Sequence, residues 1–303
     1  MHAMSKGWRA AAAIVSAIAL MFMGAQAASA AAYEDSRCDF TGDNIPDLVT
    51  RDSGGRLYIY PGNTGKGLSP RIVLGTGWNA FTAIIAPGDW TGDGKNDLIV
   101  RDSTGTLWVY FGTEDSWGFG PRFKIGSGWN SMNAIVALGD VNGDGFADIG
   151  ARTTTGYFYV YYGDGSVDTN TPTVSSDWGW TGARKYFGGG FNAYTAMVGV
   201  GDFNGAGGAD MVVRTSNGYL HVIAGDGLAD PSFAAPVRIG TGWNGMTALV
   251  GPGDSDADGY TDIIARDGAT GKLYRYPGDG MGGFKSRVLI GTSGWNAFTA
   301  IVG

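Results

Sequence analysis

The chain has 303 residues, with 21 basic against 28 acidic side chains and a formal charge of −7. That balance argues against a nucleic-acid partner, because phosphate binding needs a basic patch. A single cysteine, Cys38, excludes an intramolecular disulfide, and two histidines leave no donor set for a zinc or copper site.

In chain order, Lys6 and Arg9 precede an apolar run from Ala10 to Met23 and the small-residue string Ala28-Ser29-Ala30. This is the order of a secretory signal peptide. The run is shorter than the roughly 20 residues that cross a bilayer. Residues 1–30 are therefore expected to be cleaved, leaving 31–303 as one secreted, extracellular domain with no membrane span. Cys38 follows Asp35-Ser36-Arg37 rather than the small, apolar approach of a lipoprotein site, and it reads as a small residue filling a glycine position.

From Cys38 onward the sequence repeats, with units starting near residues 38, 88, 139, 201 and 253. Their lead aspartates are Asp39, Asp89, Asp140, Asp202 and Asp254, at spacings of 50, 51, 62 and 52 residues. Each unit runs through an aspartate loop, a strand such as 97–101, a glycine turn and an aromatic strand such as 107–110. A glycine-rich connection, a strand of the type 71–74, a Gly-Trp-Asn tripeptide and an apolar strand such as 81–86 complete it. Four short strands per unit with glycine at the turns predict an all-β fold, a five-bladed β-propeller of four-stranded blades. The first unit lacks an innermost strand, whereas residues 298–303 form an innermost strand with no blade of their own. The C-terminal strand is expected to join the N-terminal blade and close the ring without a free edge.

The aspartate loops place side-chain oxygens at positions 1, 3, 5 and 9. They are Asp39, Thr41, Asp43 and Asp47; Asp89, Thr91, Asp93 and Asp97; Asp140, Asn142, Asp144 and Asp148; Asp202, Asn204 and Asp210; and Asp254, Asp256, Asp258 and Asp262. Hard oxygen donors at alternate positions around a glycine turn suit Ca2+, in a form distinct from the EF-hand, whose position-12 glutamate is absent. The fifth loop offers the best donor set and the third the next. The first has Asn44 where glycine should turn, and the fourth has Ala206 at position 5 and is expected to be empty or weak. The expected role of the metal is to tie the loop between two strands.

Two further sets repeat. Trp78-Asn79, Trp129-Asn130, Trp243-Asn244 and Trp295-Asn296 precede the apolar strand, and Arg51, Arg101, Arg152, Arg214 and Arg266 end the strand after each loop. An aromatic face beside fixed amide and charged groups suits a sugar. The same residues could instead wedge blades and tie strand ends, and both roles stay open. Beyond residue 30, His221 is the only histidine and aligns with Tyr58, Trp108, Tyr159 and Tyr274, a packing position. Without a nucleophile and base pair, no enzyme is expected, and a polysaccharide-acting enzyme is the least favoured reading.

The stretch Gly139-Asp-Val-Asn-Gly-Asp-Gly-Phe-Ala-Asp-Ile149 resembles the FG-GAP or VCBS repeat of integrin-alpha-type propellers. That resemblance covers essentially the whole of 31–303. It implies calcium between the first two strands of each blade and an adhesion or protein-binding scaffold. The Trp-Asn pairs resemble five-bladed tachylectin-like lectins, which implies a glycan or cell-surface polysaccharide bound multivalently. The chain departs from the integrin type in having five rather than seven units. The third repeat has Phe191-Asn192 in place of Trp-Asn and about ten extra residues. That insertion, 166–186, carries Trp178 and Trp180 and reads as a distinct surface or only a longer loop.

Overall fold

The aromatic strand of each repeat shows why sheets form here: Leu107, Val109 and Phe111 are buried while Trp108, Tyr110 and Gly112 are half-buried, an alternation of period two. The strand before it, Asp97–Asp102, opens with four buried residues in a row, because both of its faces are covered by neighbouring blades. The structure is a computed structural model that describes residues 37–64, 67–113, 118–166 and 179–303. The expected signal peptide and Trp178 lie outside these.

Five antiparallel sheets of four strands form the ring. Blade 2 runs outward as Phe81–Gly88, Asp97–Asp102, Leu107–Gly112 and Phe119–Gly126. Blades 3, 4 and 5 repeat this order from the innermost strands Met132–Gly139, Tyr194–Gly201 and Met246–Gly253. Blade 1 is assembled from both ends of the described chain. Its innermost strand is Phe298–Val302, paired antiparallel with Leu48–Asp52 in the register Val49↔Val302, Thr50↔Ile301 and Arg51↔Ala300.

The closure expected from the sequence is therefore present, with one refinement. Aligned with Ala86-Pro87-Gly88-Asp89 of blade 2, the shared strand runs Gly303 and then Arg37-Cys38-Asp39, so the two ends complete a single strand position by position. Cys38 stands where the other blades have glycine at positive φ. It has φ 66° itself and is fully buried, as a residue filling a glycine position must be. Arg37 takes the place of Pro87, Leu138, Val200 and Pro252, and its Nη2 reaches the carbonyls of Gly251 (2.6 Å) and Gly199 (3.3 Å) in blades 5 and 4.

The core is not central but lies in five clusters, each between adjacent blades. Ile99, Leu107 and Val109 of blade 2 pack against Ile149 and Ala151 of blade 3, with Trp129 between them. Each buried aliphatic side chain there contributes about 1.5–3 kcal/mol. A blade without a neighbour leaves one of its faces uncovered, which makes closure of the ring a condition of stability.

Candidate cation loops and inter-blade clefts

The innermost strand runs from a short 3-10 turn at one face of the ring to the aspartate loop at the other, and the second strand returns. The five loops thus share one face, and the Trp-Asn turns share the opposite face.

In blade 2, Asp89 Oδ1 accepts the amide N–H of Gly92 (2.7 Å) and Asp93 (3.1 Å), and Oδ2 accepts Gly94 N–H (2.8 Å). The lead aspartate thus closes the loop on itself, as an Asx-type turn. The last aspartate joins two segments. Asp97 Oδ2 accepts from Trp90 and Thr91, and Oδ1 from Gly112, fifteen residues on. Asp47, Asp148, Asp210 and Asp262 make the same long-range bond to Gly62, Gly163, Gly225 and Gly278. Burial raises Asp47, Asp210 and Asp262 to about 7 and Asp97 to about 8, against the backbone donors and with added repulsion from neighbouring loop carboxylates; Asp148 also goes well above the carboxylate range. Stacked oxygens with this penalty fit a bound divalent cation, which would favour the ionised form.

Carboxylate oxygens of Asp39, Asp43 and Asp47 lie within 4.8 Å of one another, as do those of Asp254, Asp256 and Asp262. Among the described residues, four buried loop oxygens have no hydrogen-bond partner: Thr91 Oγ1, Asp202 Oδ1, Asp256 Oδ1 and Thr261 Oγ1. The donor set fits calcium by residue type and by these orphaned oxygens. Asn44 adopts φ 63°, so it makes the turn that glycine makes elsewhere. Ala206 supplies no oxygen, and Asn204 instead turns its Oδ1 onto Ala206 N–H at 2.7 Å. In the third loop Asn142 Nδ2 donates to Asp144 Oδ2 at 2.9 Å.

The fifth loop differs from the others in a way the sequence did not disclose. Arg275 stands where blades 1 to 4 have Ile59, Val109, Val160 and Val222. Its guanidinium, 4% exposed, pairs with Asp256 at 3.1 Å and donates to Ser255 O at 2.9 Å. Lys285 pairs with Asp258 at 2.6 Å. Two side-chain cations thus already face the loop with the best donor set.

On the opposite face, Trp78, Trp129, Trp243 and Trp295 are buried at blade junctions, at 6–8% exposure. Their rings lie 4.5–5.0 Å from Tyr110, Tyr161, Tyr276 and Tyr60 of the next blade. At the fifth junction Phe191 stacks on Phe158 at 4.7 Å. The indole also explains a glycine: a Cβ at Gly126 would come 2.6 Å from Trp129 Nε1. Asn79, Asn130, Asn244 and Asn296 donate their amides to turn carbonyls of Ser53, Ser103, Ser216 and Gly268. Arg51 bonds Trp78 O and Phe81 O through Nη1 and Thr299 Oγ1 through Nε, and Arg101, Arg152, Arg214 and Arg266 repeat the pattern. Of the two roles open in sequence, these geometries supply the wedge and the tie. Trp180 of the insertion does the same work, stacking at 5.8 Å on Trp129 and donating to Ile125 O at 2.6 Å.

Between the blades, above those wedges, lie open clefts. The cleft of blades 5 and 1 has a volume of about 710 Å³ and includes Asp52, Tyr58, Tyr60, Arg71, Ser293 and Trp295. The cleft of blades 2 and 3, about 570 Å³, includes Ser127, Trp129, Tyr161, Trp180 and Arg184. The arginines stand immediately before the outermost strands and were not singled out in sequence. Their signal was an arginine four residues before the strand-end glycine, at Arg71, Arg122, Arg184 and Arg287.

Residues 39–100 and 89–151 match the family model described as FG-GAP-like repeat. The chain carries FG-GAP-like repeats. The aspartate loop falls between the first two strands of each blade in all five copies, including the two beyond the matched residues. No curated protein matches the sequence. Among solved structures, one described in terms of the de novo evolutionary emergence of a symmetrical protein is 15% identical, with a TM-score of 0.54, over 84% of this chain and 97% of that one. This likeness shows the fold alone. A lectin of Agrocybe aegerita, described as recognising non-reducing terminal N-acetylglucosamine, is 18% identical with a TM-score of 0.45, over 84% of this chain and 64% of its own.

Proposed function

We propose that this FG-GAP-like propeller is a secreted, non-enzymatic, carbohydrate-binding protein whose blades are stabilised by Ca2+ in the aspartate loops. The observation that carries the reading is the pair of inter-blade clefts. Each sets a half-buried tyrosine, an indole edge and an arginine around a space in the size range of small-ligand sites, about 300–1,000 Å³. A sugar needs that combination of an apolar face and convergent hydrogen-bond donors. The calcium loops lie on the other face of the ring, so the metal is assigned to holding blades together rather than to touching the ligand. Repetition around a rigid ring favours a polymeric glycan, because several weak sites add avidity. Cys38 is buried and His221 Nδ1 is buried without a hydrogen-bond partner, which gives neither the setting of a nucleophile or base.

The test is binding of the calcium-loaded protein to a panel of soluble and insoluble polysaccharides. Saturable binding, competed by free oligosaccharide, is expected. Chelation should lower the melting temperature while leaving binding intact at temperatures where the ring stays folded. Absence of binding to every glycan by folded protein would overturn the reading and favour a protein-binding scaffold.

A further inference from the structure

The arginines of this acidic chain fall largely into two concentric sets with opposite fates. The inner set, Arg51, Arg101, Arg152, Arg214 and Arg266, is spent on backbone carbonyls and a neighbouring side-chain oxygen. The outer set, Arg71, Arg122, Arg184, Arg238 and Arg287, is exposed in or immediately before the outermost strand of each blade, Arg238 two residues before the strand-end glycine and the others four. Their guanidinium carbons lie over the rings of Tyr58 (4.4 Å), Trp108 (4.4 Å), Tyr159 (4.0 Å), Tyr219 (5.2 Å) and Tyr274 (4.2 Å). Among the described residues none of these five pairs with a carboxylate. Their side-chain bonds are neutral ones, such as Arg184 to Tyr161 Oη at 2.9 Å and Arg287 to Tyr276 Oη at 3.3 Å. Asp52, the acid beside Arg71, is occupied by the amide of Arg56 and by Tyr58 Oη, both at 2.9 Å.

Stacking fixes the plane of a guanidinium and leaves its N–H edge for an in-plane, forked acceptor. An unpaired cation recurring once per blade, on a protein of net charge −7, is not a by-product of basic composition. We propose that the outer arginine ring selects an anionic polysaccharide, each blade taking one acidic group of the chain while its cleft takes the adjoining sugar. This rests on the carbohydrate reading above and names the ligand class.

The experiment compares carboxymethylcellulose with hydroxyethylcellulose, which share a β-1,4-glucan backbone and differ in charge, at one fixed free calcium level. Poly-L-glutamate serves as a polyanion without sugar. Carboxymethylcellulose is expected to bind at least about tenfold tighter than the neutral polymer, with affinity falling steeply as salt rises. Arg71→Gln, Arg122→Gln, Arg184→Gln, Arg238→Gln and Arg287→Gln should each weaken it severalfold and together abolish it, with melting curves confirming the fold. Arg→Lys at the same positions should be intermediate, keeping charge but losing the fork. Equal binding of both cellulose derivatives would overturn the inference and leave the lectin reading standing. Poly-L-glutamate binding as tightly as carboxymethylcellulose would overturn the glycan assignment. Unchanged affinity in folded arginine variants would overturn the ring. If the combined variant does not fold, the single variants decide.

Discussion

Asp97 shows what the position-9 aspartate contributes. It is fully buried, three backbone N–H groups point at it, and Asp89 and Asp93 add repulsion, yet burial outweighs the donors and its pKa rises to about 8. In the calcium-free fold this carboxyl is protonated at neutral pH, whereas in the unfolded chain it ionises near the ordinary value of about 4. The folded state therefore holds the extra proton between about pH 4 and 8, and stability must fall as pH rises through that window. Calcium requires the ionised form, so loading expels the proton and affinity rises with pH. The melting temperature in chelator is expected to decline from about pH 5 to 8, and that decline should vanish in saturating calcium. A flat profile in chelator would count against protonated loop carboxyls. The position of this aspartate was legible because it recurs in register; its burial was not, since the partner amide lies fifteen residues away across a turn.

At the scale of the loop, sequence ranks by donors alone, and the fifth loop shows what that omits. Asp254, Asp256, Asp258 and Asp262 form the richest set, but Arg275 and Lys285 approach it from the third strand and the following connection. A buried guanidinium on Asp256 Oδ2 competes with a divalent ion for the same carboxylate, so the third loop should bind calcium more tightly than the fifth. Arg275→Met should reverse that order, with calcium affinity at the fifth loop rising about tenfold, roughly 1.4 kcal/mol. It should also destabilise the calcium-free protein, because removing the guanidinium leaves the half-buried Asp256 carboxylate unpaired. Isothermal titration of wild type and variant measures both affinities, and no gain in the variant would restore the donor-count ranking. The tryptophans teach a related lesson. Gly-Trp-Asn was conspicuous as a repeat, but repetition marks a ring position without saying which way the ring faces. The indole-to-glycine approach at Gly126 and the amide bond of Asn130 to Ser103, both within the preceding blade, and the packing of Trp129 on Tyr161 of the next blade decided that.

For the whole molecule, five similar blades and a closing strand supplied by the C-terminus were readable from the order of repeats and the unmatched strand at 298–303. Energetically, the closing strand does more than complete a sheet. Phe298 packs edge-on to Tyr58 and Tyr60 and against Trp295, and the cluster between blades 5 and 1 also holds Leu48, Ile264 and Ile301. Deleting 298–303 opens one sheet, exposes the edge of Leu48–Asp52 and strips both faces of the junction that makes the fold circular. Because every core cluster is inter-blade, the loss should spread, so the truncated chain is expected to melt without a cooperative transition. Placing the same six residues directly before Arg37 in the truncated chain should restore it, since Gly303 and Arg37 already occupy consecutive positions of one strand. A cooperative melt in the deletion, or failure of the relocated strand to rescue it, would show that blades 2 to 5 hold their ring without closure.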